Sequence, residues 1–110
     1  MAALDRFVEA QSRDYPSVVA ELQRGSKRSH WIWYIFPQVA GLGRSETARF
    51  YAISTLSEAK AYLAHPLLGA RLRECVQLML GWQPERSAAT ILGELDAMKL
   101  RSSLTLFEAA

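Results

Sequence analysis

The sequence predicts an all-α fold, a compact single-domain bundle of about five to seven short helices. Apolar residues recur at offsets of three, four and seven along most of the chain, the spacing that lines one face of a helix rather than of a strand. Residues that cap helices stand ahead of these periodic stretches, and glycines or prolines follow them. Of 110 residues, 50% are hydrophobic and 22% charged, a balance that suits a globular core and not a disordered chain.

Taking the elements in order, Leu4, Phe7, Val8 and Gln11 share a face and predict a first short helix. Asp14 offers a cap for a second one, and Pro16 is tolerated in its first turn. Tyr15, Val18, Val19 and Leu22 would be the buried face of that helix, with Gly25 closing it in a left-handed conformation. The segment Ser29–Pro37 reads two ways, because its aromatic and β-branched content also suits a buried strand. A lone strand would leave its backbone groups without partners, so a helix capped by Ser29 and ending before Pro37 is favoured. Gln38–Arg44 is a loop in which Gly41 and Gly43 give backbone freedom. Ser45 caps a helix running to about Ile53, and Thr55-Leu56-Ser57-Glu58 matches a capping box for the next, which stops before Pro66. Leu68, Leu72, Cys75, Val76, Met79 and Leu80 form an apolar stripe, with Arg71, Arg73, Glu74 and Gln77 opposite, and Gly81 ends that helix. Ser87 caps a shorter helix through Leu92, and Glu94–Phe107 is helical in pieces.

Several linked segments resemble the bacterial family labelled domain of unknown function 1810, whose members sometimes carry the name calpastatin. The resemblance rests on Arg6-Phe7-Val8-Glu9-Ala10-Gln11 and on the block Lys27 to Gln38, which contains Ser29-His30-Trp31-Ile32-Trp33-Tyr34-Ile35-Phe36-Pro37. It continues through Gly41-Leu42-Gly43-Arg44-Ser45 and Tyr62 to Leu72, and ends with Asp96, Lys99 and Ser102-Ser103-Leu104-Thr105-Leu106-Phe107. It implies an all-helical fold and no established activity. Similar proteins continue past the last of these segments, whereas this chain stops at Glu108-Ala109-Ala110. If the continuation covers core there, an apolar patch is left that self-association into a homodimer would bury. The name calpastatin does not suit the composition: such an inhibitor acts as a disordered chain of low hydrophobicity, and half of this chain is apolar.

Composition also narrows the function. Thirteen basic against 11 acidic residues leave a net charge of +2, too small to make nucleic acid or an anionic membrane the expected partner. The single cysteine, Cys75, excludes an internal disulfide and any multi-cysteine metal site. No metal or cofactor is expected. The opening Met1-Ala2-Ala3-Leu4-Asp5-Arg6 carries no apolar leader, and the longest apolar run, Trp31–Pro37, is far too short for a membrane span, so a cytoplasmic protein is expected.

The candidate site is a polar constellation around the aromatic segment: Lys27, Arg28, His30, Gln38, Arg44 and Ser45, with Trp31 or Trp33 as an apolar wall. Cations and the free amides at a helix start suit an anion. Gly-Leu-Gly-Arg-Ser matches neither a Walker loop nor a dinucleotide fingerprint. Lys99 and Ser103, from a second polar cluster with Asp96, Ser102 and Thr105, complete the pocket if the fold brings them near. Against this stands the bland reading, a tight turn with solvated arginines, core aromatics and capping residues. His65 reads as a cap, and Cys75 as a packing residue rather than a nucleophile. The expected function is binding of a small anionic ligand or a partner peptide. The alternatives are a small hydrolase or transferase on a nucleotide-like substrate, with His30 or Asp96 as acid–base group, and a purely protein-interaction domain.

Overall fold

A computed structural model describes residues 4–110; Met1, Ala2 and Ala3, which entered the sequence reading as part of a segment without a leader, lie outside the described residues. Helix α1, Asp5–Arg24, is one continuous helix where the sequence suggested two. Asp14 is therefore no cap; it accepts a hydrogen bond from the Tyr34 hydroxyl. Pro16 lies inside α1, exposed, where the bond it cannot donate is lost on the solvent side and packing of Phe7, Ala10, Val18 and Leu22 carries the helix across. Gly25 ends α1 at φ 70°, donating to the carbonyls of Glu21 and Leu22.

The ambiguous aromatic segment is helical, as a single turn, α2, Ile32–Ile35. Ser29 does not cap it; the hydroxyl donates to Glu21 instead. Ser45 caps α3, Glu46–Phe50, by accepting from the Ala48 amide at 3.1 Å. This helix is shorter than expected, because Ile53 is drawn into a single parallel bridge with Val39. The Ala40 amide donates to the Ile53 carbonyl and the Ile53 amide to the Gln38 carbonyl, both at 2.8 Å.

Thr55 caps α4, Leu56–Ala64, through the Glu58 amide, and Glu58 returns the favour to the Ser54 amide rather than to Thr55. His65 closes α4 and opens α5, Leu68–Leu80: its Nδ1 accepts from the amides of Leu67 and Leu68 at 3.1 and 3.2 Å. Most of the predicted stripe of α5 is buried, though Leu80 is 49% exposed. Arg71, expected on the opposite face, lies with its guanidinium 4.4 Å from the Tyr15 ring centroid. Ser87 caps α6, Ala88–Leu92. The last stretch is one helix, α7, Glu94–Ala109, not several pieces.

These seven helices, the described residues containing no β-strand beyond the one bridge, fold into one globule with a radius of gyration of 13.0 Å. Helix α1 packs on α5 and α2, α4 on α5 and α7, and α6 on α7. Phe7, Tyr62 and Phe107 join the layers through ring contacts of 5.2 Å. Buried polar groups at this junction are paired: Gln11 donates to the Tyr34 carbonyl at 2.7 Å and to the Tyr62 hydroxyl at 3.1 Å. Among the described residues, no helix is long and apolar enough to cross a membrane.

Candidate functional site

Helix α3 has no buried residue, so it stands off the globule and leaves a hollow between itself, the 38–45 loop and α7. The cavity measures about 480 Å³, within the usual range for small-ligand sites. Its lining includes Trp33 and Tyr51, Leu42 and Ala48, and Leu95, Met98, Lys99 and Ser102 of α7. Gln38, Gly43, Arg44 and Ser45 sit along the loop edge. The α7 residues recur at offsets of three, four and seven, so one helical face serves the hollow while Ala97, Leu100, Ser103 and Phe107 serve the core.

The electrostatics of this hollow are one-sided. Arg44 and Lys99 line it, and no aspartate or glutamate does. Arg44 is exposed and has no ion-pair partner among the described residues. Lys99 is fixed by two neighbours, Asp96 at 3.5 Å and the Trp33 ring, whose centroid lies 5.0 Å from Nζ. The side chains of Gln38 and Ser102, the Tyr51 hydroxyl and the Trp33 indole N–H have no hydrogen-bond partner within the described protein, so each is free for a bound molecule. The helix start contributes less than the sequence suggested. Helix α3 has five residues, too few for a substantial dipole, and the Ser45 hydroxyl is already engaged with the Ala48 amide.

Of the residues singled out from the sequence, the fold brings Trp33, Gln38, Arg44, Ser45 and Lys99 to this hollow. The others go elsewhere. Lys27 is nearly buried, 2.8 Å from Asp96 and with Nζ 5.1 Å from the Trp31 ring centroid, so it is a structural cation. Trp31 is 1% exposed and donates its indole N–H to Glu21 at 2.9 Å, which removes it as a wall for a ligand. Arg28 is exposed and lies outside the hollow, its backbone amide held by Glu21 at 2.7 Å. Ser103 is fully buried, its hydroxyl without a hydrogen-bond partner. Of the two alternative acid–base candidates, Asp96 is held between Lys27 and Lys99, while His30 borders a neighbouring open hollow with Trp33, Glu46, Thr47, Phe50 and Tyr51.

Tyr51, Leu42, Leu95 and Met98 were not singled out, whereas Ser102, named with the second polar cluster, does line the hollow. Leu95 and Met98 are apolar, yet they are 75% and 62% exposed. The signal was present in their spacing with Lys99 and Ser102, which marks a face distinct from that of Ala97, Leu100 and Ser103. Cys75, by contrast, is where the sequence put it. It is fully buried in the core, and burial pushes its thiol up to about 12. Such a thiol is no nucleophile at neutral pH. Among the described residues no group of three or more histidines, cysteines or carboxylates is gathered to hold a metal.

The fold and hollow thus define a class, a small all-helical globule with a partly cationic cleft at one edge. Comparison with known proteins takes this a step further. The family model described as Protein of unknown function (DUF1810) matches residues 1–110, and the chain belongs to that family. Among solved structures it is similar to the conserved hypothetical protein Rv1873 from Mycobacterium tuberculosis, with 54% sequence identity and a TM-score of 0.93. That match covers 96% of this chain and 75% of the mycobacterial one. No curated protein matches.

Proposed function

We propose that this chain binds a small anionic ligand in the hollow between the 38–45 loop and α7, and does so without catalysing a reaction on it. One observation carries the reading: a cavity of about 480 Å³ is lined by Arg44 and Lys99, by unpartnered polar groups of Gln38 and Ser102, and by no carboxylate. Arg44 supplies the forked donor that suits phosphate or carboxylate, and Lys99 the point charge beside it. Trp33 and Tyr51 form an apolar wall against the uncharged part of the ligand. A lone, buried, unpaired cysteine suits a reducing compartment and supports a cytoplasmic location.

Isothermal titration with inorganic phosphate, sugar phosphates and nucleotides tests the reading. At least one should bind with an affinity that falls about tenfold or more in Arg44→Ala, the loss typical of a charge-assisted contact. Arg28→Ala, outside the hollow, should leave that affinity unchanged. Absence of binding to all of these anions, or equal binding by wild type and Arg44→Ala, defeats the proposal.

A further inference from the structure

The hollow just described does not stand alone. Trp33 and Tyr51 line both it and the neighbouring open hollow, so the two hollows adjoin at these aromatic side chains and form the two halves of the cleft considered next. The halves differ in charge. Arg44 and Lys99 mark the first, whereas the second has Glu46 as its charged lining residue and His30 as its titratable neighbour. Phe50 is 58% exposed at that second half and stacks edge-on against Tyr51, with ring centroids 4.9 Å apart. A large aromatic ring left this far in water, on a helix with no buried residue, contributes little to folding. It offers a face on which another flat ring can stack.

Building on the anion reading above, we infer that the ligand has two parts. The first half of the cleft takes a phosphate, and the second takes a flat heteroaromatic ring bearing N–H donors. Polarity sets the orientation. The Glu46 carboxylate repels a phosphate and accepts hydrogen bonds from ring or exocyclic N–H groups, and the His30 imidazole, free of any hydrogen-bond partner, donates or accepts beside it. A molecule with an anionic group at one end and an amino-bearing planar ring at the other is a nucleoside phosphate. The cleft therefore assigns that chemical class to the site.

The experiment compares ribose 5-phosphate, which has the anion and no base, with the four common nucleoside monophosphates, by isothermal titration on the full chain. At least one nucleotide should bind about tenfold more tightly than ribose 5-phosphate, the gain expected from stacking one base. Phe50→Ala should remove most of that preference while leaving ribose 5-phosphate binding unchanged, and Glu46→Gln should reduce it for bases with an exocyclic amine. Both side chains are exposed, so circular dichroism should show intact helices in both variants. Equal binding of ribose 5-phosphate and every nucleotide, or a preference that Phe50→Ala leaves intact, overturns the two-part ligand and spares the anion reading. Failure of all five compounds to bind in an Arg44-dependent way overturns both.

Discussion

Glu21 is a carboxylate that folding buries to 4% exposure, and four donors allow it. It accepts from the amides of Arg28 and Ser29 at 2.7 and 3.0 Å, the Ser29 hydroxyl at 2.6 Å and the Trp31 indole at 2.9 Å. Burial alone raises its pKa, but the bonds to Ser29, Arg28 and Trp31 prevail and bring it from 4.5 down to about 2. Because the folded value lies below the unfolded one, the stabilisation is fully present above pH 4.5 and is lost as pH falls toward 2. Glu21→Gln keeps an acceptor for the backbone amides but removes the charge. Melting temperature followed from pH 7 to pH 2 should therefore fall less steeply below pH 4.5 in the variant, with a cost of about 1–2 kcal/mol at pH 7. Identical acid limbs would mean another group governs them. This hub also shows why Ser29 was misjudged: a serine ahead of an apolar run reads as a cap, and only the fold reveals a buried carboxylate eight residues upstream competing for its hydroxyl.

Elements whose cause is local were legible; those decided by packing were not. Ser45, Thr55 and Ser87 each cap the helix they precede, because a side-chain oxygen meeting an amide three residues on is decided within one turn. The joins within α1 and α7 were missed because Pro16, and the polar run around Ser102, weaken a helix by amounts that burial of Phe7, Val18, Leu100 and Phe107 overrides. The corner between α4 and α5 rests on a close approach. A methyl group on Gly69 would collide with the Leu63 carbonyl, a backbone atom of the preceding helix with nowhere to go. Gly69→Ala should thus destabilise the protein by about 2–3 kcal/mol in urea denaturation, even though alanine is the better helix former. A neutral or stabilising result would show that the corner yields easily.

At the scale of the whole molecule, half of the candidate constellation was readable and half was not. Gln38, Arg44 and Ser45 are near in sequence, so their company in one hollow follows from the loop they share. The addition of Lys99 and Ser102 from α7 depends on how the last helix lies against α2 and α4, which no local pattern specifies. The same packing takes Lys27 and Trp31 inward, where the ion pair with Asp96 and the bond to Glu21 offset the cost of burying a charge and an indole N–H, and it buries Ser103 as well. The chain's three tryptophans consequently occupy three unlike surroundings. Two have their N–H bound, Trp31 to Glu21 and Trp82 to the Leu22 carbonyl, while that of Trp33 is free and its ring borders both halves of the cleft. Intrinsic fluorescence should therefore separate occupancy from unfolding: ligand should perturb an emission component that vanishes in Trp33→Phe, and the denaturation signal should survive that substitution. Nature has in effect wired this protein with its own gauge, one lamp at the doorway and one in the cellar, so visitors can be counted without attaching a dye.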